Sequence, residues 1–230
     1  MEPKQIFHSF HYLRHNARRL EHLSSLGLSV RNKSVLETGA GIGDHSHYFL
    51  DRNCKMTITE ARESNLEVLR ERFPDEQIIN LNLEAPPPKS ITPHEIVYCY
   101  GTLYHLANPI EALSYLASHC TETLLLETCV SFGEAAHVQT VPENQVMASQ
   151  AFSGTGSRPT RAKLMETLKS LFEFVYIPIT QPNHEEFPVD WDNPEAHSAP
   201  LSRAIFIASR TEISNPLLTE ALISRQTRHN

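Results

Sequence analysis

Residues 33–44 have the sequence Lys-Ser-Val-Leu-Glu-Thr-Gly-Ala-Gly-Ile-Gly-Asp, in which a short apolar segment runs directly into three glycines at alternate positions. This order predicts a strand over Ser34–Thr38, a glycine turn and a helix that begins near His45. Glycine permits backbone angles that other residues avoid, and its missing Cβ lets a ligand lie directly on the main chain. The segment therefore predicts the ligand-binding turn after the first strand of a parallel sheet.

An acidic residue, Glu60, ends the next apolar run, Lys55–Thr59. In parallel α/β sheets an acid at this position accepts hydrogen bonds from ribose hydroxyls. The glycines are spaced Gly-x-Gly-x-Gly rather than Gly-x-Gly-x-x-Gly, and Glu37 precedes them. A carboxylate at this point repels pyrophosphate and favours a cationic amine or sulfonium. The pattern predicts an adenosine-bearing, cationic cofactor; the alternative is a NAD-type or non-catalytic nucleotide-binding domain.

The chain alternates predicted strands with predicted helices. Strands are expected over 34–38, 55–59, 77–83, 94–100, 123–130, 173–180 and 203–209, and helices over 5–26, 45–50, 64–73, 109–117 and 160–171. This order predicts an α/β fold: a single doubly wound, Rossmann-like domain with a mostly parallel seven-stranded sheet and an antiparallel last strand.

We expect the domain to cover residues 1–210, with residues 1–30 as an N-terminal helical cap and 211–230 as a polar tail. Two long connections, 131–157 and 181–201, are expected to be substrate-binding or lid insertions, because loops of this length in a compact domain usually carry function.

Composition is that of an ordinary soluble globular domain. The 230 residues are 20% charged and 40% hydrophobic, and the formal net charge of -7 does not favour a polyanionic partner. No apolar run reaches membrane-spanning length and the N-terminus lacks the apolar core of a signal peptide, so we expect a cytoplasmic protein without membrane contact. The four cysteines lack a Cys-x-x-Cys spacing and are expected to be buried thiols.

The segment Glu37-x-Gly39-x-Gly41-x-Gly43 resembles the first motif of class I S-adenosylmethionine-dependent methyltransferases, and Glu60 resembles their ribose-binding acid. This resemblance implies S-adenosyl-L-methionine as the cofactor and methyl transfer as the reaction. It implies that the glycines pass beneath the methionine and ribose parts of the cofactor, that Glu37 orients its amino end, and that Glu60 takes the ribose hydroxyls.

Two later segments narrow the resemblance. Residues 94–113 include Gly-Thr-Leu-Tyr-His, and residues 124–128 are Leu-Leu-Leu-Glu-Thr. These two segments are similar to the segment after strand four and to strand five of tRNA wobble-uridine carboxymethyltransferases. Many small bacterial methyltransferases share the same pattern. The resemblance covers residues 33–130 and, more weakly, 158–161, and it is more specific for the fold and cofactor than for the substrate.

The acceptor is left open between two classes. We expect no counterpart of the additional N-terminal region of the tRNA enzymes. The net negative charge of the chain also does not indicate the basic surface that RNA binding normally needs. We therefore predict an oxygen or nitrogen of a small-molecule metabolite as the acceptor. Methyl or carboxymethyl transfer to tRNA or RNA is the alternative, with a local basic patch formed by Arg14, Arg18, Arg19, Arg158 and Arg161.

The expected cofactor site extends beyond the glycine loop. Asn82, at the end of strand three, lies where side chains of this fold usually form a hydrogen bond with the adenine amine. An equal alternative is that its side chain caps a turn. The predicted cofactor-binding residues are Glu37, Gly39, Ala40, Gly41, Gly43, Glu60, Ala61, Asn82, Leu83, Tyr100 and Gly101.

His105 is the predicted general base, because it closely follows strand four and titrates near neutrality. The alternative is a loop histidine that bonds a backbone carbonyl. Tyr104 is expected to pack on the substrate or to fill the wall. The remaining substrate candidates are Tyr12, Arg14, Glu127, His184, Trp191 and Arg203.

Four histidines, His8, His11, His15 and His22, fall near one stripe of the predicted leading helix. Histidine is a common metal ligand, but no carboxylate or cysteine in the sequence pattern completes a convincing site. We therefore predict solvated or hydrogen-bonded imidazoles and no bound metal.

Overall fold

Strands and helices alternate along the chain. The computed structural model describes residues 2–86 and 91–229. The helices are α1 (Pro3–Phe7), α2 (Phe10–Ser25), α3 (Ser46–Leu50), α4 (Glu63–Arg72), α5 (Pro109–Ser118) and α6 (Arg161–Leu171). The strands are β1 (Ser34–Thr38), β2 (Lys55–Glu60), β3 (Gln77–Asn80), β4 (His94–Tyr100), β5 (Cys120–Cys129), β6 (Val138–Pro142), β7 (Thr155–Pro159), β8 (Phe174–Pro178), β9 (Thr180–Gln181), β10 (Arg203–Ser209), β11 (Leu218–Thr219) and β12 (Thr227–Arg228). Leu103–His105 and Pro194–Ala196 form single turns of 3-10 helix.

The main sheet has the order β11-β8-β10-β5-β4-β1-β2-β3. Strands β3, β2, β1, β4 and β5 pair in parallel, whereas β10 is antiparallel to both β5 and β8. The chain runs outward from β1 through β2 to β3 and then returns to β4 on the other side of β1. Ligands of open α/β sheets bind at such a reversal, outside the carboxyl ends of the strands.

The predicted α/β class with a mostly parallel sheet is confirmed, but across residues 2–86 and 91–229 the sheet has eight strands rather than seven. The additional strand, β11, pairs antiparallel with β8 at the edge of the sheet. It consists of two residues within a polar segment, too short for the apolar alternation that reveals a strand in a sequence.

The segment predicted to be a polar tail makes contacts with the domain over part of residues 211–229. Ile213, Leu217 and Leu218 lie against the core, and β12 pairs in parallel with β9. The low density of apolar residues after Thr211 hid these contacts, because a few anchoring side chains and short backbone pairings hold the segment in place.

Residues on successive positions of the strands serve opposite faces of the sheet. Val35 belongs to the apolar cluster that contains residues of α2 and α4, while Leu36 belongs to the cluster that contains residues of α5 and α6. Val97 and Tyr98 alternate in the same way. Strands buried on both faces require helices on both sides, which gives the doubly wound arrangement that positions the site.

The two long connections have structure of their own. In the first connection, β6 pairs antiparallel with β7, which extends two residues beyond position 157 and places Pro159 opposite Val138. Between β9 and β10, Phe187 is completely buried. The four cysteines are buried and unbridged, as predicted. Across the part of the chain that the structure describes, no helix is long and apolar enough to span a bilayer.

Candidate functional site

A cavity opens at the carboxyl ends of β1, β2 and β4, where the strand order reverses. One side, which we call the loop side, consists of the turn after β1 and the end of β2. The other side consists of α2, the 3-10 helix Leu103–His105 and the start of β10, and we call it the acceptor side because residues predicted to contact the substrate lie there. The predicted cofactor residues that line the cavity are Glu37, Gly39, Ala40, Gly41, Glu60, Ala61, Asn82, Leu83, Tyr100 and Gly101. Residues predicted from separate motifs therefore meet around one cavity.

The glycine loop needs its glycines for two reasons. Gly39 has φ +62° and Gly41 has φ +58°, in the left-handed region that other residues rarely adopt. A Cβ on Gly39 would lie 2.4 Å from Oγ1 of Thr102, so the space is also closed. Gly43 lies outside the cavity lining, and a Cβ there would lie 2.4 Å from the Phe73 ring. Its role in this structure is close packing of the turn onto α4.

Glu60 ties the end of β2 to the glycine loop. Its carboxylate accepts hydrogen bonds from the backbone N–H groups of Gly41 (2.9 Å), Ala61 (2.8 Å) and Arg62 (2.9 Å). Burial raises its pKa, which these hydrogen bonds only partly offset. The side chain of Asn65 also lowers this pKa through a hydrogen bond. Glu60 therefore shapes the loop and lines the cavity at the end of β2.

Glu37 is a buried carboxyl group at the base of the cavity. It is 2% exposed and accepts a hydrogen bond from the Ser46 hydroxyl. Burial raises its pKa to about 7; the Ser46 hydrogen bond lowers the pKa and the nearby Asp44 raises it. A cationic ligand group at this carboxyl would favour its charged form.

The ends of β3 and β4 complete the loop side. Asn82 lines the cavity, and its Oδ1 accepts from the backbone N–H of Glu84 at 3.0 Å, which is a turn-capping bond. The Tyr100 ring stacks on Tyr98 with centroids 4.5 Å apart. The Tyr100 hydroxyl is buried and has no partner among residues 2–86 and 91–229. The Asn82 amide and the Tyr100 hydroxyl remain available to a ligand.

His105 forms a pair with Glu143, a residue of the first long connection. Nδ1 of His105 contacts Oε2 of Glu143, which also accepts from the Ala151 N–H at 2.8 Å. Burial opposes the ionisation of Glu143, but the hydrogen bonds from His105 and from the Ala151 N–H, together with the charge of Arg158, outweigh burial and lower its pKa. An ionised carboxylate only accepts, so Nδ1 carries the proton and Nε2 has a free lone pair.

Burial also decides the charge of His105. It lowers the pKa of the imidazole, and the attraction of Glu143 does not fully restore it. The neutral ring therefore predominates at neutral pH. A neutral histidine whose second nitrogen is held by a carboxylate has the form of a general base.

A buried ion network forms the wall of the acceptor side. Glu127 is fully buried and accepts from Nη1 of Arg19 at 2.9 Å and from Nη1 of Arg203 at 3.0 Å. Burial raises the pKa of Glu127, but the two guanidinium groups outweigh burial and lower it. Both arginines line the cavity, while Glu127 lies behind them. Nη2 of Arg203 also donates to the Tyr104 hydroxyl at 3.3 Å.

The remaining substrate candidates divide between the cavity and its surroundings. Tyr12 lines the cavity. Arg14 is bound to both carboxylate oxygens of Glu185, at 2.8 and 2.6 Å, outside the cavity lining. The Trp191 indole donates to Gln226 at 2.8 Å and also lies outside it. His184 is likewise absent from the lining and is buried beside α2.

Several lining residues were not predicted. They are Phe7, His15, Asn16, Arg19, Ile42, Asp44, His45, Arg62, Leu81, Thr102, Leu106, Ala148, Ser149, Gln150 and Phe152. Tyr12, Asn16 and Arg19 are spaced by three and four residues on α2, so helical periodicity links the two missed residues to Tyr12. Residues 148–152 carry no comparable signal, because only the folding of the long connection brings them to the cavity.

The stripe of histidines on the leading helix does not act as one group. His8 pairs with Asp44 at 3.3 Å, and Nε2 of His22 lies 3.1 Å from the Thr180 carbonyl. His11 and His15 instead approach a carboxylate, Glu186, at 3.8 and 3.9 Å. The sequence pattern offered no such carboxylate, because Glu186 is distant in the chain and is brought to α2 by the connection before β10.

Sequence similarity to known proteins covers part of the chain. The tRNA U34 carboxymethyltransferase of Mannheimia succiniciproducens is 28% identical over 130 residues, which are 53% of this chain and 39% of that protein. The tRNA U34 carboxymethyltransferase of Haemophilus ducreyi is 24% identical over 163 residues, which are 67% of this chain and 48% of that protein. The chain thus spans less than half the length of these relatives. No protein-family model matches it.

Similarity in structure covers most of the chain. The N-terminal domain of EvdMO1, solved in the presence of S-adenosylhomocysteine and D-fucose, has a TM-score of 0.64 and 17% identity over 84% of this chain and 82% of that one. Magnesium protoporphyrin IX methyltransferase from Synechocystis PCC 6803, solved with S-adenosylmethionine, has a TM-score of 0.58 and 13% identity over 90% and 89%. The chain has the Rossmann-like class I methyltransferase fold, with sequence similarity to the tRNA U34 carboxymethyltransferases.

Proposed function

We propose that this protein is an S-adenosylmethionine-dependent methyltransferase that holds its cofactor over the glycine loop and a small-molecule acceptor beside His105. The observation that carries the proposal is a single cavity whose walls include Glu37, Glu60 and His105. The related proteins support this chemistry, since the curated relatives are named as carboxymethyltransferases and solved neighbours contain S-adenosylmethionine or S-adenosylhomocysteine.

The residues of the loop side fit the proposed cofactor. Gly39 and Gly41 line the cavity, and the space of their missing Cβ atoms is taken by Thr102 and by the Phe7 ring, which a larger residue would displace. Glu60 lines the cavity at the end of β2, the position from which an acid accepts ribose hydroxyls in parallel α/β sheets. Glu37, with its pKa near 7, gains a full negative charge when a cationic amine approaches. When bound, S-adenosylmethionine supplies a methyl group carried on a positively charged sulfur.

His105 is the proposed general base. Its Nε2 takes the proton that an acceptor hydroxyl or amine releases as it is methylated, and Glu143 then stabilises the imidazolium through Nδ1. The lowered pKa of His105 keeps the imidazole neutral, and so ready to accept a proton, at neutral pH. The neighbouring Tyr104 ring, 3.9 Å from the imidazole between centroids, restricts the orientation of the base.

A small acceptor fits the charges around the cavity better than RNA does. The arginines of the predicted basic patch are engaged within the protein: Arg18 pairs with Glu21 at 2.7 Å, and Nη2 of Arg158 pairs with Glu143 at 3.3 Å. Arg161 donates to the carbonyl of Ile223 at 2.7 Å. Arg14 and Arg19 are bound to carboxylates as described above. Guanidinium groups that are already paired add little to phosphate binding.

Methyl or carboxymethyl transfer to tRNA is the second candidate. The sequence similarity to tRNA U34 carboxymethyltransferases favours it, and that similarity covers 53% of the chain. The relatives are much longer than the region they share with this chain, so their RNA-binding parts need not have a counterpart in it.

The two candidates are separated by following a labelled methyl group. Purified protein is incubated with methyl-labelled S-adenosylmethionine and either a small-metabolite extract or total tRNA. We expect label in the metabolite fraction, a strong loss of label with His105→Gln, and no loss with His137→Gln, which changes an exposed histidine of the connection that contains Glu143. Label in tRNA alone would favour the second candidate. Absence of label from both fractions would contradict the proposed activity.

A further inference from the structure

Three buried side chains with metal-ligand chemistry meet where α2 contacts the connection between β9 and β10. His15 comes from α2, while His184 and Glu186 come from the connection, and their ligand atoms all lie within 4.8 Å of one another. The three residues are 2%, 2% and 3% exposed. Parts of the chain almost 170 positions apart therefore place two imidazoles and a carboxylate around one buried point.

Two atoms of this cluster are left without hydrogen bonds. The Nε2 atoms of His15 and His184 are buried and have no partner within the described parts of the chain. A buried polar atom without a partner costs about 1–3 kcal/mol, and native structures contain few of them. The two rings are 4.7 Å apart between centroids, and His15 Nε2 is 3.9 Å from Glu186. The arrangement calls for a ligand that accepts electron pairs from both nitrogens.

We propose that His15, His184 and Glu186 bind a divalent transition-metal ion of the Zn²⁺ class. Imidazole nitrogens and carboxylate oxygens are zinc ligands at about 2.0–2.2 Å, which puts neighbouring ligand atoms about 3.3 Å apart in a tetrahedron. The cluster reaches that spacing when its atoms close by roughly 1–1.5 Å. His11, one helical turn before His15, has its Nε2 3.8 Å from Glu186 and supplies the fourth ligand.

The charged groups around the cluster are already paired. Arg203 donates from Nε to Oε2 of Glu186 at 2.7 Å, which fixes the carboxylate while leaving other accepting positions open. Arg203 and Arg19 share the carboxylate of Glu127, which balances one of their two positive charges. The amide of Glu186 approaches Nδ1 of His184 at 3.3 Å. When Nε2 of His184 binds the ion, the proton of the neutral ring lies on Nδ1, which can then no longer accept. The ring therefore loses only this long hydrogen bond.

The position of the ion gives it a structural consequence. It would fasten α2 to the connection before β10, and His15 also lines the cavity. The ion would thereby hold the helical cap in place over the acceptor side. This inference does not depend on the proposed methyl transfer, because the ligands are distinct from the glycine loop and from His105.

The test uses Co²⁺ as a spectroscopic probe and Zn²⁺ as a competitor, with the full chain freed of metal by a chelator and without cofactor. We expect one Co²⁺ per chain with the strong visible absorption of a tetrahedral site, complete displacement by Zn²⁺, and a thermal midpoint raised by roughly 5 °C at saturating Zn²⁺. If the unaltered protein forms no 1:1 complex with Co²⁺ or Zn²⁺, the site is overturned, whatever the variants do.

Variants locate the ion within the chain. We expect His184→Gln and Glu186→Gln to weaken Zn²⁺ binding by roughly 100-fold or more, and His11→Gln, at an exposed position that folding tolerates, by roughly 10-fold. His22→Gln is the matched control, a buried histidine of the same helix that bonds Thr180 instead, and should bind Zn²⁺ as the natural protein does. If His11→Gln and a folded His184→Gln or Glu186→Gln variant all bind Zn²⁺ as tightly as the unaltered protein, the assignment is overturned.

Discussion

The two sides of the cavity are built in different ways. On the loop side, an acidic side chain binds the backbone: Glu60 accepts hydrogen bonds from three backbone N–H groups. On the acceptor side, side chains hold side chains across long stretches of sequence, as in His105 with Glu143 and Arg203 with Glu127. The loop side therefore depends on local backbone geometry, and the acceptor side depends on the tertiary structure around it.

This difference separates two kinds of sensitivity. Changes on the loop side should affect cofactor binding and the folding of one turn. Changes on the acceptor side should affect turnover, or destabilise the protein by leaving buried charges without partners. The comparison fails if a substitution on one side produces the effects expected for the other.

The largest effect is expected at His105. We expect His105→Gln to lower kcat by roughly 10²–10⁴-fold, because no base then takes the proton from the molecule that is methylated. The affinity for S-adenosylhomocysteine should stay unchanged. The measurement is steady-state kinetics with the acceptor fraction that the labelling experiment identifies, together with a calorimetric titration. Weakened cofactor binding with normal kcat would assign His105 to the loop side.

The same residue sets a pH dependence. The pKa of His105 is lowered in the folded protein and the base must be neutral, so kcat should fall as pH drops through a value below 6.5 and should stay level above it. Glu143→Gln removes a carboxylate that raises this pKa and should move the fall to still lower pH. A kcat that rises as pH decreases would contradict the role of base.

The next largest effect is expected in the buried ion network. Arg203→Met leaves Glu127 and Glu186 each with one partner fewer in the interior, and we expect the free energy of unfolding to fall by about 3–5 kcal/mol. Arg14→Met removes a solvent-exposed pair with Glu185 and should cost less than about 1 kcal/mol. Urea unfolding measures both, and similar losses in the two variants would show that burial does not govern this network.

A loop-side glycine, Gly39, can be compared with Gly27, which follows α2 and has a similar φ, to separate strain from crowding. We expect Gly39→Ala to lower the free energy of unfolding by about 2–4 kcal/mol, from left-handed strain and a clash with Thr102, and to weaken S-adenosylhomocysteine binding. Gly27 has φ +61°, and a Cβ at that position would meet nothing within 4 Å, so Gly27→Ala should lose about 1–2 kcal/mol from strain alone. Equal losses in thermal unfolding would remove the argument that Thr102 closes the space at Gly39.

A smaller and pH-dependent effect is expected at Glu37. Its pKa is about 7 in the folded chain against 4.5 for an unperturbed glutamate, so its ionisation lowers the stability of the native state between pH 4.5 and 7, with no further change above. Glu37→Gln should therefore be more stable than the natural protein by about 1–3 kcal/mol at pH 8 and equally stable near pH 4.5.

The same substitution should weaken S-adenosylhomocysteine binding, because the amide carries no charge for a cationic amine. Glu67→Gln, an exposed change on α4, is the control and should alter neither property. A Glu37→Gln variant that is less stable at pH 8 would show that the buried carboxyl group is satisfied in its ionised form.

The loop side could be predicted from the sequence because its determinants are close together in the chain. β1, β4 and β10 were predicted with the bounds found in the structure, since each is a buried apolar run between turn residues. Gly39 and Glu60 belong to motifs within 30 residues, and the rule that parallel strands present their carboxyl ends at one edge brings them together.

The acceptor side could be predicted only in part. His105 and Arg203 were identified individually, but Glu143 and Glu186, which fix their orientations, were not. Their contacts depend on how the two long connections fold, and polar connections have no periodicity that indicates where they lead. The edge strand β11 was missed for the same reason.

The most direct test of the central claim is a calorimetric titration of the natural protein with S-adenosylhomocysteine and, separately, with NAD. The geometry of Glu37 and Glu60 around the glycine loop predicts binding of one S-adenosylhomocysteine per chain and no heat with NAD. We expect Glu60→Ala to weaken that binding by about 1–3 kcal/mol. Heat with NAD and none with S-adenosylhomocysteine would contradict the assignment of the cavity to a methyl-transfer cofactor.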